Sequence, residues 1–302
     1  MSTLYKIFFT IAVVTMIVCA GIIAIFGFNL GNDFKGGSLM EVEFTLQSNG
    51  AFEFISKPTI EQFKEVIKNT LGDNLTIVKT GDYGYLIKAD AISEPEHQQL
   101  LGEIKNNLGA FEEKRFDSVG PNIGKELKNK SIAAIVVTLI FICIYLAIVF
   151  KKVGRVINPW TLGVGAILAL LHDLLLPFGI FALLGKLNGM EIDASFIAVA
   201  LTILGYSVND TVVVYDRVRE NILKKEPGTF DQIVHKSVKQ TISRSINTII
   251  AVLLSLVAIY FFGGTSLKNF SLAMIIGIIS GAYSSIFVAS PILMLFHKEK
   301  KK

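Results

Sequence analysis

The chain has 302 residues, of which 52% are hydrophobic, with a mean hydropathy of +0.56 and a formal net charge of +4. Those values predict a polytopic membrane protein. The absence of a G-x-x-x-x-G-K-[ST] loop, a G-x-S-x-G elbow and an HExxH spacing argues against ATP binding, acyl transfer and a histidine metal site.

The first apolar run, 7–28, is long enough to cross about 30 Å of hydrocarbon. It is too long for a signal peptide and ends without an A-x-A site, so a retained anchor is expected. Cys19 and Cys143 both lie inside apolar runs, where neither a disulfide nor a thiol metal pair is expected.

Composition turns polar over 32–130, the predicted soluble insert. Its patterns predict strands at 39–46, 75–80, 83–89 and 111–118 and helices at 60–71 and 96–108. Thr59 followed by Gln62 reads as a capping box at the start of the first helix. The order β-α-β-β-α-β is that of the ferredoxin-like split motif.

Five more spans follow within 131–302, at 132–150, 160–184, 195–215, 246–262 and 270–296, giving six in all. The third is expected to be interrupted by His172–Asp173 and Pro177. Between the fourth and fifth, Pro227–Gly228 precedes Phe230, Ile233, Val234, Val238 and Ile242 at helical spacing. This segment reads either as an amphipathic helix on the membrane surface or as a linker helix packed on the bundle. Lys151, Lys152, Arg155, Arg217, Arg219, Lys224, Lys225, Lys236, Lys239, Arg244 and the lysine tail share one side. Lys186 and Lys268 hold the other, so both termini are expected in the cytoplasm and 32–130 outside.

The run 196–220 has the apolar length of a span yet carries Asn209 and Asp210. A carboxylate at the bilayer centre costs roughly 2.5–3.5 kcal/mol, a cost that points to a task or a partner. Thr202, Tyr206 and Asp210 are four residues apart and share a helix face. Asp210 lies about 15 residues, or about 22 Å, from the outer end of its span, which puts it toward the inner leaflet. Arg244 opens the fifth span at matching depth. The two form either a static ion pair or a working one, in which Asp210 takes a proton whenever the arginine leaves. His172 and Asp173 add a second polar pair, read as a proton relay or as interhelical hydrogen bonds. Ala273, Gly277, Gly281 and Ser285 recur every four residues, with Ser284 beside them, as a seam for close helix packing.

Six segments, taken in order, resemble the SecF family of the bacterial protein-export machinery, within the RND superfamily. They are GNDFKGGS at 31–38, SVGPNIGKEL at 118–127, LLHDLLLPFGIFALLG at 170–185, GYSVNDTVVVYDRVREN at 205–221, QTISRSINT at 240–248 and SGAYSSIFVASP at 280–291. Asn32 departs from the hydrophobic residue of the family pattern. The resemblance implies half of an RND-type bundle, a SecD partner, and assistance to SecYEG and SecA, with YajC a further candidate. It also implies an unfolded polypeptide handled outside the bacterial cytoplasmic membrane and a proton as the coupling ion. No other cofactor, no metal, no enzymatic activity and no nucleic acid are expected. The family's essential carboxylate and arginine fall on Asp210 and Arg244. A homodimeric proton-driven small-molecule exporter and a structural scaffold of the translocon are the rival expectations.

Overall fold

Each apolar run becomes a helix, and six helices are long and apolar enough to cross a membrane. The computed structural model describes residues 1–44, 58–72, 75–151 and 159–296. They divide into a unit of Leu30–Ser131 and a helical unit of Met1–Asn29 with Ile132–Lys302. The predicted strand end at 45–46, the cations Lys152 and Arg155 and the lysine tail lie outside the described residues.

In chain order, α1 (Thr3–Phe26) is followed by the short α2 (Asn32–Lys35) and β1 (Gly37–Phe44). Gly36 and Gly37 join the last two with φ of +84° and +146°. A Cβ at Gly36 would lie 2.8 Å from Pro121 Cα, and one at Gly37 2.8 Å from the Ala89 carbonyl oxygen. Only glycine meets both demands. Asn32, the departure from the family pattern, donates from Nδ2 to the Ser38 carbonyl at 2.9 Å.

The insert continues through α3 (Ile60–Leu71), β2 (Thr76–Thr80), β3 (Gly84–Ala89), α4 (Glu94–Leu108) and β4 (Phe111–Val119). The Thr59–Gln62 capping box starts α3 as expected, and Ser93 with Glu96 caps α4 the same way. The four strands form one antiparallel sheet in the order β2-β3-β1-β4. Alternate residues Met40, Val42 and Phe44 of β1 point to one face. There they bury with Tyr85 and Ile87 against Phe63 and Ile67 of α3 and Leu100 and Ile104 of α4.

The remaining helices are α5 (Pro121–Val149), α6 (Pro159–Asn188), α7 (Ser195–Leu223), α8 (Phe230–Phe262), α9 (Thr265–Ser284) and α10 (Ser290–Phe296). A π-helical turn, Ser285–Ala289, joins the last two into a single span. In the helical unit α6, α7 and the α9–α10 span are about half buried. By contrast α1, α5 and α8 leave most of their apolar surface open.

Two expectations are corrected. The third span is not interrupted: α6 runs through Pro177, which only removes the helical hydrogen bond to the Asp173 carbonyl. Of the two readings of the segment after Gly228, the one packed on the bundle holds, but as part of a longer helix and not as a linker. The segment begins α8 at a Thr229–Gln232 capping box and continues without a break into the fifth span. Phe230 and Val234 pack in the same core as Tyr215 and Val218 of α7. The polar residues between mark where the chain meets water; the backbone remains helical.

Candidate functional site

Two carboxylates of the helical unit, Asp173 and Asp210, stand in different settings. Asp173 of α6 is fully buried and His172 nearly so. Asp173 accepts hydrogen bonds from Ser280 Oγ (2.8 Å) and Ser284 Oγ (2.6 Å) of α9 and from Ser207 Oγ of α7. His172 Nδ1 lies 3.0 Å from its Oδ1, and Ser280 Oγ lies 3.2 Å from the same ring nitrogen. The imidazole stacks on Tyr283, with centroids 5.7 Å apart. An ionised carboxylate offers about four lone-pair sites, and four neighbours meet them here.

Close packing of α9 on α7 delivers these hydroxyls. A Cβ at Gly277 would stand 2.1 Å from Ile203 Cδ1, and one at Gly281 3.1 Å from Ser207 Cβ. Ala273 is fully buried on the same stripe. The small residues let the helix axes approach until short serine side chains span the gap.

Asp210 is half-buried. Ser245 Oγ of α8 donates to its Oδ1, and Ser285 Oγ donates to its Oδ2 at 2.6 Å. One hydroxyl per oxygen leaves acceptor capacity on both. Ser285 opens the π-helical turn, and its own carbonyl takes Ser290 Oγ at 3.0 Å, five residues on. Tyr215 Oη donates to the Ala289 carbonyl at 3.3 Å, at the other end of the turn.

The other residues singled out in the sequence do not all converge on Asp210. Asn209 and Thr202 lie on the exposed side of α7. Tyr206 buries its hydroxyl beside Thr248 without a normal hydrogen bond. Among the described residues Asp210 and Arg244 form no ion pair. Ser245 holds the α8 face toward Asp210, and its neighbour Arg244 is therefore turned about 100° away. Arg244 lines a cavity of about 480 Å³ with Val149, Val212, Asp216, Arg217 and Gln240. The other cations there are engaged. Arg217 donates to Gln240 Oε1 (2.7 Å) and pairs with Glu220, while Arg219 pairs with Asp216 at 3.0 Å.

The sequence does not mark Ser207, Ser245 and Ser280 as site residues, and it marks Ser284 and Ser285 only as packing. Serine is ordinary in membrane helices, and each of these is marked only by a partner on another helix. Among the described residues no three His, Cys, Asp or Glu side chains are grouped to hold a metal ion.

Six apolar helices around buried ionisable groups, with an α+β unit inserted after the first, define a polytopic helical membrane protein. The family described as "Protein export membrane protein SecD/SecF, C-terminal" matches residues 100–299, and the "SecD/SecF GG Motif" matches residues 21–45, the stretch holding Gly36 and Gly37. The protein translocase subunit SecF of Thermobaculum terrenum is 42% identical over 274 residues, 89% of this chain and 85% of that protein. Its namesake from Alicyclobacillus acidocaldarius is 37% identical over 300 residues, 95% of this chain and 89% of that one. The crystal structure of SecDF from Thermus thermophilus, described as a translocon-associated membrane protein, superimposes with a TM-score of 0.77 at 30% identity. The match covers 97% of this chain but 38% of that longer chain. The chain belongs to the SecD/SecF family of protein-export membrane proteins.

Proposed function

We propose that this chain pairs with a SecD-type subunit and assists Sec-dependent export, using the proton-motive force through Asp210. One observation carries the proton reading. Asp210 sits at membrane depth with hydroxyl partners only, while Arg244, unpaired among the described residues, adjoins one of those partners on α8. Because successive helix residues are about 100° apart, a turn of α8 by one position replaces Ser245 with Arg244 opposite Asp210. With Arg244 opposite, the carboxylate is ionised and charge-paired. With Ser245 opposite, as here, it has hydroxyl partners only and is open to a proton. Alternation between the two moves a proton from one side to the other.

The cations of 217–244 gather at one end of α7 and α8, which supports cytoplasmic termini in the bacterial cytoplasmic membrane and an external insert. The strand order supports a ferredoxin-like domain that meets the emerging polypeptide. The open apolar surfaces of α1, α5 and α8 suit lipid and a second bundle. SecYEG and SecA are the wider partners on this reading. His172–Asp173 is read as a fixed interhelical knot, since its acceptors are already filled.

Asp210→Asn removes the charge with little change of volume. In inverted membrane vesicles with an imposed proton gradient, the variant is expected to lose the gradient-dependent part of preprotein translocation. Wild-type translocation rates in Asp210→Asn vesicles would end the proton reading.

A further inference from the structure

Ser284 and Ser285 are neighbours, yet each is tied to a different carboxylate. Ser284 Oγ reaches Asp173 Oδ2 and Ser285 Oγ reaches Asp210 Oδ2, both at 2.6 Å. On the N-terminal side of this pair the span is anchored, because Ser280 and Ser284 both donate to the saturated Asp173. On the C-terminal side the backbone is π-helical, a single wide turn of a kind found mostly at functional positions. Pro291, just beyond, lacks the backbone donor that the Phe287 carbonyl would take in an α-helix, and Ser290 Oγ separately donates to the Ser285 carbonyl. The turn is therefore held by side chains at both ends, and one holder is Asp210.

We infer that Ser285 is the positioning residue through which the protonation state of Asp210 sets the helical form of the last span. The inference rests on the reading of Asp210 as the proton site. An ionised Asp210 accepts from Ser285 and keeps the turn wide. A proton on Oδ2 turns that oxygen from acceptor to donor while Oδ1 still accepts from Ser245, so Ser285 is released. The turn then closes to α-helical bonding, and the segment beyond it rotates about its axis while the half held by Asp173 stays in place. Val288, Ala289, Ile292 and Leu293 lie in the core shared with Tyr5 and Tyr215, so that rotation repacks α1 and α7 against α10. Phe287, inside the turn, stacks on Phe8 at 4.5 Å and leaves it in the closed form.

Other titratable groups surround the turn. They are Tyr5 on α1, His172 and Asp173 on α6, Tyr206 and Tyr215 on α7, His235 and Arg244 on α8, and Tyr283 on α9. His172→Gln and His235→Gln therefore serve as controls, and both should keep the wild-type response.

The test uses the full chain in membranes with its partner subunit. Two signals are followed across pH: amide hydrogen exchange over 285–296, and the protonated carboxyl band of Asp210, identified by its loss in Asp210→Asn. In the wild type, exchange is expected to slow roughly tenfold as the band grows, the scale of one charge-assisted hydrogen bond. Asp210→Asn should exchange slowly at every pH. Ser285→Ala should also be slow at every pH although its Asp210 band still titrates, and Ser285→Thr should restore the response. Ser284→Ala, which frees only the Asp173 tie, should keep it. A wild-type response in Ser285→Ala, or a wild-type band that titrates without a change in exchange, overturns the coupling. A wild type with no titrating band removes the proton site itself, and the coupling with it.

Discussion

Asp173 and Asp210 are the same residue type, on adjacent helices, in opposite circumstances. Asp173 has no contact with solvent and four polar neighbours; Asp210 is half-buried with two, and its expected cation faces elsewhere. The difference teaches that a carboxylate in a membrane protein is placed for stability when its acceptors are filled. It is placed for change when some stay open. On the proposed reading, the saturated group fixes the geometry against which the unsaturated one moves.

The comparison breaks most sharply at Asp173. Asp173→Ala removes the acceptor shared by three buried hydroxyls and an imidazole, leaving Ser284 only the Gly281 carbonyl and Ser280 only the His172 ring. It is expected to destabilise the protein by about 3 kcal/mol or more, since each orphaned buried group costs about 1–3 kcal/mol. Thermal unfolding of the detergent-solubilised chain measures this. Asp210→Asn in the same assay should lie within about 1 kcal/mol of wild type. Equal losses at the two positions would erase the distinction.

Next in size is the seam that brings the serines to Asp173. Gly277→Ala drives a methyl into Ile203 and is expected to cost about 1–3 kcal/mol. The double variant Gly277→Ala with Ile203→Val, which removes Cδ1 but keeps Cγ1 at 2.5 Å, should recover part of that. No recovery would mean that the helix approach is set elsewhere.

Arg244→Ala sharpens the contrast between stability and function. It removes no ion pair in this conformation, so melting should change by no more than about 0.5 kcal/mol. Gradient-driven export should nevertheless fall as far as in Asp210→Asn. A large loss of stability would mean that the arginine is structural.

The smallest effect belongs to the insert and separates its acid response from that of the bundle. The Ser93 backbone N–H and hydroxyl hold the Glu96 carboxyl below the usual carboxylate range. A depressed carboxylate contributes its stability above the unfolded value, about 4.3, and loses it as pH falls through the lowered folded value. Amide exchange at the start of α4 should therefore rise only in that acid window. Glu96→Gln should abolish the dependence.

Local signals carried much of this fold. Thr59 and Gln62 announce α3 because a capping box is made within four residues, and the spans announce themselves by apolar length. The unbroken α8 was hidden because Lys236, Lys239, Gln240 and Arg244 end the apolar window, although polar residues do not end a helix. Asp210 was legible as an expensive residue in an apolar run. Its neighbours Ser245 and Ser285 were not, because depth along a helix follows from counting residues whereas the direction of a side chain depends on packing. Pro291 is the one mark in the sequence that hints at the widened turn before it.

The 33 residues of α8 make a rod about 50 Å long, some 20 Å more than the hydrocarbon it crosses. No proline or glycine interrupts its hydrogen-bond ladder between Phe230 and Phe262. A twist imposed at its watery end near Asp231 and His235 sweeps Phe261 and Phe262 through the same angle at the far surface. Under the proposed turn of α8, the helix is a drive shaft as well as a wall of the bundle.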